Sequence, residues 1–158
     1  MAHAYKATIR WERGAQIFTD NKYSRGHVWR FDGGIEVPGS SSPLVVPKFS
    51  LAEAIDPEEA FVASLSSCHM LFFLSLAGAK GFRIDSYEDA AVGEMGKNEK
   101  GKLYVAKVTL HPDIVFSGDK QPSDSDVASL HHRAHEECFI ANSVLTEVAT
   151  TVMPIRVV

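Results

Sequence analysis

Residues 56–81, DPEEAFVASLSSCHMLFFLSLAGAKG, form the stretch that decides the fold. Asp56 suits the N-cap of a helix, Pro57 suits its first position, and Gly81 suits the residue after its end. The stretch between them is apolar on nearly all sides, which is typical of a helix that is buried all round. A membrane span is the weaker interpretation, because serine, cysteine and histidine interrupt the apolar run at 64–69. The sequence therefore predicts a long, buried central helix.

Strand patterns lie on both sides of this helix. The predicted strands cover residues 5–11, 27–31, 35–37, 85–93, 103–116 and 152–158. A second helix is predicted to start near Ser123, capped by that serine with Asp126 three residues on, and a further helix to cover 143–151. The DGG triplet at 32–34 predicts a hairpin turn, because glycine tolerates a positive φ angle. No shift of composition marks a domain boundary. This order predicts one α+β domain over residues 1–158, with a largely antiparallel sheet around the central helix.

The composition is that of an ordinary globular protein. Of 158 residues, 45% are apolar and 23% are charged, and the formal net charge is −4. Lysine and arginine are scattered, so neither nucleic acid nor a membrane is an expected partner. The N-terminal residues carry charges and no apolar core of a signal peptide, so we expect a cytoplasmic location. Structural disulfides are rare there, and the two cysteines require another explanation.

The two cysteines are the first candidates for chemistry. Cys68 lies in the middle of the predicted central helix, and Cys138 shares the inward face of a later predicted helix with Leu130 and Ala134. Packing as a small apolar side chain explains each thiol on its own. Two inward-facing cysteines about seventy positions apart also fit a peroxidatic and resolving pair, although spacing does not show that they meet.

Three charged residues are candidates to support a thiolate. Arginine lowers the pKa of a neighbouring thiol without losing its own proton, and Arg25 and Arg30 compete for this role, although each also suits a solvated surface. Glu58 could orient such an arginine, or it could simply compensate the helix dipole. About 15 Å of helix separates Glu58 from Cys68. Glu58 therefore reaches Cys68 only from an antiparallel partner helix, or if the helix breaks.

Four histidines leave alternatives open: His69, His131, His132 and His135. His131 and His135 lie one turn apart, as zinc ligands do, but the set matches no standard zinc pattern, and a solvated face explains most such clusters. His69 or His135 could act as the base of a cysteine acyl or thiol transferase, although adjacent helical residues such as Cys68 and His69 diverge by about 100°. A non-enzymatic redox sensor is a further alternative.

Taken together, these segments resemble the OsmC/Ohr family, the osmotically inducible protein C and organic hydroperoxide resistance proteins. The resemblance rests on DPEE at 56–59, on SSCH at 66–69, and on AHEEC at 134–138. The family pattern has Asn/Asp-Pro-Glu at the start of a central helix, a cysteine ten residues after that glutamate, and a second cysteine in an Ala-His-x-x-Cys segment. All three spacings are present, and the resemblance covers about residues 5–157.

This resemblance implies a fold and an activity. The family fold is an intertwined α+β homodimer with two active sites at the subunit interface. By residue match, Cys68 takes the peroxidatic role toward organic hydroperoxides, and Cys138 takes the resolving role. Glu58 matches the family's glutamate at the start of the helix, and Arg25 matches the arginine that pairs with the thiolate. A disulfide between the cysteines would be reduced by a dithiol, for example a lipoylated protein, and no metal or organic cofactor is required.

The chain also departs from the family pattern. Phe139 stands where proline usually follows the second cysteine, and His69 stands where an aromatic residue commonly follows the first. The SSSP segment at 40–43 is unusual as well. These differences indicate a separate branch of the family.

Overall fold

The structure is a computed structural model that describes residues 3–158. The chain divides into two compact units, Met1–Ala60 and Phe61–Val158. The first unit holds strands β1 (Ala7–Arg10), β2 (His27–Phe31) and β3 (Glu36–Gly39), and helix α1 (Pro57–Ala79) begins at its end. The second holds β4 (Arg83–Asp89), β5 (Val92–Lys97), β6 (Leu103–Leu110), β7 (Pro112–Ser117), α2 (Asp124–Glu137), a short 3-10 helix (Ala141–Ser143), β8 (Glu147–Thr150) and β9 (Arg156–Val157). The prediction of one domain over 1–158 stays a prediction.

The N-terminal unit is built on an antiparallel sheet in the order β1-β2-β3. The predicted hairpin is present: Gly34 has a φ angle of +86°, and its N–H donates to the carbonyl oxygen of Phe31 at 3.0 Å. Residues 40–55 form an ordered loop, in which the buried Ser40 hydroxyl accepts from the Leu51 N–H at 2.9 Å. The predicted strand over 5–11 is real but shorter than expected.

Helix α1 has the ends that the sequence predicts. The Glu59 N–H donates to the Asp56 carboxylate at 2.8 Å, and the Glu59 carboxylate accepts from the Asp56 N–H at 3.2 Å, which is the reciprocal pattern of a capping box. At the other end, Gly81 takes a φ angle of +78°, a conformation that glycine adopts without steric cost. Between these ends the helix runs without interruption for 23 residues.

The prediction that α1 is buried all round is wrong for a single chain. Its buried residues, Leu65, His69, Phe73 and Ala77, recur every four positions and therefore form one stripe. Leu71, on another face, is 62% exposed. By length and composition α1 also meets the requirements of a membrane-spanning helix, which the core helix of a soluble protein meets equally. One chain thus covers only one face of its most apolar helix.

Two apolar clusters flank that stripe within the C-terminal unit. Leu65 packs with Val108 and Leu110 of β6, while Phe73 and Ala77 pack in a larger cluster with residues of β7 and α2. The buried members of the larger cluster are Phe73, Ala77, Phe82, Ile114, Phe116, Val127, Leu130 and Ala134. His69 lies on the stripe between Leu65 and Phe73, so a polar side chain occupies the middle of a buried apolar face.

The C-terminal unit corrects several predicted elements. The two strands predicted over 85–93 and 103–116 are four strands, in sheets ordered β4-β7-β9 and β5-β6-β8. The helix predicted over 143–151 is wrong, because after the 3-10 helix this segment forms β8 and pairs in parallel with β6, Val148 opposite Val108. Only Arg156–Val157 of the predicted last strand is a strand, and it pairs in parallel with β7. Antiparallel pairing still dominates, and the architecture is α+β.

Candidate functional site at two thiols and two imidazoles

The structure brings the two cysteines together. Cys68 is half-buried in the middle of α1, and Cys138 is the C-cap of α2, with 1% of its surface exposed. The Cys68 side chain acts directly on the acidity of Cys138, so the two thiols are neighbours, and both are free. The expectation that Cys138 faces the core is therefore met. The thiol pair lies at the junction of the two helices of this unit.

Burial and the neighbouring thiol change the acidity of Cys138. Desolvation, followed by the interaction with the neighbouring Cys68 thiol, raises the pKa of Cys138 to about 11. The Ala141 N–H donates to its Sγ at 3.4 Å and offsets part of that effect. Cys138 is therefore a neutral thiol at neutral pH. The less buried Cys68 is the better placed of the two to meet a reagent from solvent.

The end of α2 is fixed by local hydrogen bonds. The helix starts at a capping box between Ser123 and Asp126, as the sequence predicts, and ends where Cys138 turns to extended backbone angles of −66° and 110°. The Asn142 side-chain amide then donates to the carbonyl oxygens of Glu136 and Cys138, at 2.7 and 3.0 Å. These bonds satisfy carbonyls that the helix end leaves free, and they hold the Cys138 backbone in place.

Beside the thiols, two buried histidines form a second contact between α1 and α2. His69 Nε2 lies 3.0 Å from His131 Nδ1, and the rings stack at 14°. Desolvation is the main cause that lowers the pKa of each imidazole to about 4, so both are neutral at neutral pH. One ring must then donate its N–H to the bare nitrogen of the other. Among residues 3–158, His69 Nδ1 has no hydrogen-bond partner.

The other polar residues near Cys68 also find partners. The Ser66 hydroxyl donates to Asp89 at 2.5 Å, and the same carboxylate accepts from the His111 N–H at 2.6 Å. The Ser64 hydroxyl donates to the Phe61 carbonyl at 2.7 Å. These bonds explain how an apolar helix accommodates a polar segment at 64–69, since buried polar groups are costly without partners.

An aromatic pair lies next to the thiols in sequence. Phe72 follows Cys68 by one helical turn, and Phe139 follows Cys138 directly. Their rings meet edge to face with centroids 5.1 Å apart, and Phe139 is 69% exposed. The position where the family usually has proline therefore carries an apolar side chain that solvent can reach.

Arg25 is held within the N-terminal unit. Its guanidinium donates to the Tyr23 carbonyl at 2.7 Å and to the Asn21 side chain at 2.9 Å, and it lies 3.8 Å from the centre of the Tyr23 ring. Arg30 instead pairs with Glu36 across the hairpin. The role of Arg25 beside a thiolate stays a prediction.

Glu58 lies in the first turn of α1 and is half-buried. Because α1 is continuous, about 15 Å of helix separates Glu58 from Cys68. The two cannot meet within one helix, which leaves the antiparallel partner helix as the route by which Glu58 would serve the thiol.

The histidines do not form the cluster that zinc binding would need. No group of three or more His, Cys, Asp or Glu side chains within residues 3–158 has the geometry to hold a metal ion. His131 is engaged with His69, and His132 lies 3.3 Å from the Glu136 carboxylate, exposed on the helix surface. The contact with His131 engages His69 Nε2, so Nδ1 is the nitrogen of that ring without a partner among the described residues.

Sequence reasoning named His69 and His131 as candidates but missed their contact, and it missed Asp89 altogether. His131 lies seven positions before Cys138, two helical turns, so the two share a face of α2. That spacing agrees with the burial of both side chains, but no local pattern could show that the partner of His131 is His69. Asp89 ends a strand, and nothing in its own segment connects it with Ser66.

A half-buried cysteine and a buried cysteine that are neighbours, on two helices of an α+β unit, define a protein with a pair of adjacent thiols. The family model described as OsmC-like protein matches residues 50–153. The chain is 52% identical to an OsmC-like protein of unknown function from Vibrio cholerae, with a TM-score of 0.94 over 96% of this chain and 100% of that one. No curated protein matches. The chain belongs to the OsmC-like family.

More distant solved structures share the fold. An organic hydroperoxide resistance protein from Elizabethkingia anophelis is 17% identical, with a TM-score of 0.67 over 99% of this chain and 96% of that one. Another from Legionella pneumophila, described as an organic hydroperoxide resistance protein OsmC, is 18% identical, with a TM-score of 0.62 over 99% and 98%. The predicted resemblance to the OsmC/Ohr family is confirmed.

Proposed function

We propose that the chain is a thiol-dependent peroxidase that reduces organic hydroperoxides to alcohols. The observation that carries this proposal is that the free thiols of Cys68 and Cys138 are neighbours, close enough for Cys68 to raise the pKa of Cys138. Two free thiols in contact can store and release two electrons by closing and opening a disulfide. The match to the OsmC-like family supports this use of the pair.

In the first step, the Cys68 thiolate attacks the distal oxygen of ROOH. The O–O bond breaks, the alkoxide takes a proton and leaves as ROH, and the sulfur becomes a sulfenic acid. In the proposed enzyme Arg25, held by Glu58 of a second subunit, supplies the positive charge that favours the thiolate. The half-buried position of Cys68 gives the peroxide access to its sulfur.

In the second step, Cys138 attacks the sulfenic sulfur of Cys68. An S–S bond forms, and hydroxide leaves Cys68 and takes the Cys138 proton, so the product is water. Because burial keeps the pKa of Cys138 at about 11, the thiol loses its proton only as this bond forms. An external dithiol, such as a lipoylated protein in the cytoplasm, then reduces the disulfide in two exchanges and is itself oxidised.

The surroundings of Cys68 favour an organic substrate over hydrogen peroxide. Phe72 lies one turn further along α1 and packs edge to face on Phe139, whose ring is largely exposed. An apolar R group gains free energy by covering such a surface, whereas hydrogen peroxide has none to bury.

We also propose that the enzyme is a homodimer in which α1 packs against its copy. Only 22% of the apolar 18-residue window of α1 is buried in one chain, and Leu71 is 62% exposed. A face of this kind is costly in water unless a partner covers it. We expect a dimer in analytical ultracentrifugation and at least tenfold weaker dimerisation for Leu71→Glu, about 1.4 kcal/mol. Glu99→Ala, in an exposed turn, is the control. A monomeric parent protein would contradict the dimer.

One equivalent of cumene hydroperoxide tests the peroxidase proposal directly. We expect the intact mass of the reduced protein to fall by two hydrogens, with peptide mapping locating the loss to a Cys68–Cys138 disulfide. Dihydrolipoamide should restore the original mass. The same equivalent of hydrogen peroxide, given for the same time, should oxidise a smaller fraction.

Cys138→Ser is the matched control for this experiment. Without the second thiol, one stoichiometric reduction should still occur and leave a sulfenic acid that a dimedone-type reagent traps on Cys68. Oxidation of neither cysteine in the parent protein, at a peroxide concentration in excess, would reject the proposed function.

A further inference from the structure

We propose that His69 and His131 are positioning residues, whose hydrogen bond sets the helix geometry that keeps Cys68 and Cys138 within bonding reach. The proposal rests on the proposed function, since a disulfide step is what such positioning would serve. It assigns a role to two buried polar side chains that take no direct part in the proposed thiol chemistry.

The first argument is where the two contacts lie. On α1, His69 is adjacent to Cys68. On α2, His131 precedes Cys138 by seven residues, about 10.5 Å along the helix axis. Apolar side chains of both helices also share one cluster, in which Phe73 of α1 lies with Leu130 and Ala134 of α2. The imidazole pair adds a hydrogen bond to this packing, and it is more deeply enclosed than the thiol pair.

The second argument is that the imidazole contact is directional. The Nε2–Nδ1 separation is 3.0 Å, and two neutral rings can make this bond only with one nitrogen donating and the other bare. Packing reinforces it: the Phe73 ring lies with its centroid 4.4 Å from that of His131. An apolar contact of equal area would tolerate small shifts of α1 along α2, while a buried hydrogen bond loses its strength steeply as it bends.

The third argument is the cost of placing these groups in the core. Two buried imidazoles in the stripe of α1 and α2 are less favourable than apolar side chains would be, and His69 Nδ1 remains without a partner among the described residues. The groups that act on His69 from neighbouring elements are His135 of α2 and Asp89 of β4. A polar pair retained at this cost beside a reactive thiol is consistent with a geometric role.

The expected consequence concerns disulfide closure and not peroxide attack. A disulfide requires Cβ atoms about 3.5–4.5 Å apart and a narrow range of dihedral angles. If the helices can pivot, fewer conformations meet this requirement, so the disulfide becomes easier to reduce and slower to close. The reaction of Cys68 with peroxide needs no partner thiol and should be unaffected.

Amide variants test the histidine pair, because the amide group of each variant can take the place of one imidazole nitrogen. Asparagine places its amide close to the position of Nδ1 and glutamine close to that of Nε2, so His131→Asn and His69→Gln can each preserve the bond. His131→Leu cannot. His132→Leu, one residue away on the exposed face of α2, is the matched control.

The measurement is the equilibrium between the Cys68–Cys138 disulfide and glutathione redox buffers, which needs no peroxide. We expect His131→Leu to lower the equilibrium constant at least tenfold, about 1.4 kcal/mol. We expect His131→Asn to stay within about threefold of the parent protein, roughly 0.7 kcal/mol, and His132→Leu to match it. Stopped-flow oxidation should show slower closure in His131→Leu with an unchanged rate of sulfenic acid formation. A purely structural role would lower Tm but leave these quantities unchanged at temperatures where the variants are folded.

A double variant keeps the test decisive if His131→Leu does not fold. His69→Leu with His131→Leu removes both polar groups, so no buried nitrogen loses a partner. It should fold and still show the lower equilibrium constant. An unchanged constant in the double variant would overturn the positioning role alone. Failure of the parent protein to form this disulfide would overturn both proposals, while a histidine-dependent disulfide in a protein inactive toward peroxides would overturn only the peroxidase.

Discussion

Replacement of Cys68 by serine is expected to abolish catalytic turnover of organic hydroperoxides, with a loss of about a thousandfold or more. The reaction needs an atom that is both a strong nucleophile near neutral pH and able to accept oxygen, and a serine hydroxyl is neither. The remaining thiol does not take over, because burial raises the pKa of Cys138 to about 11. The measurement is the rate of cumene hydroperoxide loss with dihydrolipoamide in excess.

Ser67→Ala is the matched control for this substitution. Ser67 is the neighbour of Cys68 on α1, it is exposed, and its hydroxyl makes only a long bond of 3.4 Å to the Ser64 carbonyl. Its loss should change the rate less than twofold, or about 0.4 kcal/mol in the barrier. A Cys68→Ser protein that reduced peroxide at the parent rate would place the chemistry on another group.

Local signals in the sequence predicted the parts of the fold that local forces determine. The ends of α1 followed from the side chains of Asp56 and the backbone freedom of Gly81, and both positions hold. The start of α2 followed in the same way from Ser123 and Asp126. Capping is decided within one helical turn, so a short window of sequence contains the information.

The elements and contacts that sequence reasoning did not predict depend on pairing between residues far apart in the chain. The local pattern of residues 143–151 predicted a helix, whereas part of this segment forms β8 by parallel pairing with β6. The same limit applies at the site. The helix-face argument showed that Cys68 and Cys138 each point inward, but only the packing of α1 on α2 shows that they meet. The partner of His69 lies 62 residues away.

The exposed face of α1 shows a second reason why the prediction and the structure of one chain differ. The sequence indicated a helix apolar on all sides, and the structure of one chain covers only the stripe through Leu65 and Phe73. In a protein that forms oligomers, an apolar surface that is exposed in one chain can be buried in the assembly. The proposed homodimer accounts for the all-round apolar pattern of α1, because a second copy would cover the face that one chain leaves exposed.

Acid is expected to destabilise this protein through the same two histidines that we assign to positioning. Burial lowers the pKa of His69 and of His131 from 6.5 to about 4. Above pH 6.5 both rings are neutral in the folded and in the unfolded chain, so they cause no pH dependence. Between pH 6.5 and about 4 the unfolded chain binds protons that the folded chain does not, so stability falls as the pH falls.

The expected size follows from linkage. Lowering the pH from 7.5 to 4.5 should reduce the free energy of unfolding by on the order of 2 kcal/mol for each histidine. This window lies above the range in which Asp126 titrates, because its hydrogen bonds to Ser123 lower the pKa of that carboxyl from 3.8. The measurement is urea unfolding at pH 7.5, 6.5, 5.5 and 4.5, with a phosphine reductant to keep both thiols free.

The double variant His69→Gln with His131→Asn separates these two titrations from every other one. It removes both buried imidazoles while allowing an amide hydrogen bond in their place, and it keeps every other histidine of the chain. The parent protein should lose stability more steeply toward pH 4.5 than the variant. Parallel curves would mean that the two imidazoles bind protons equally in the folded and in the unfolded chain, which would contradict the lowered pKa values of the buried pair.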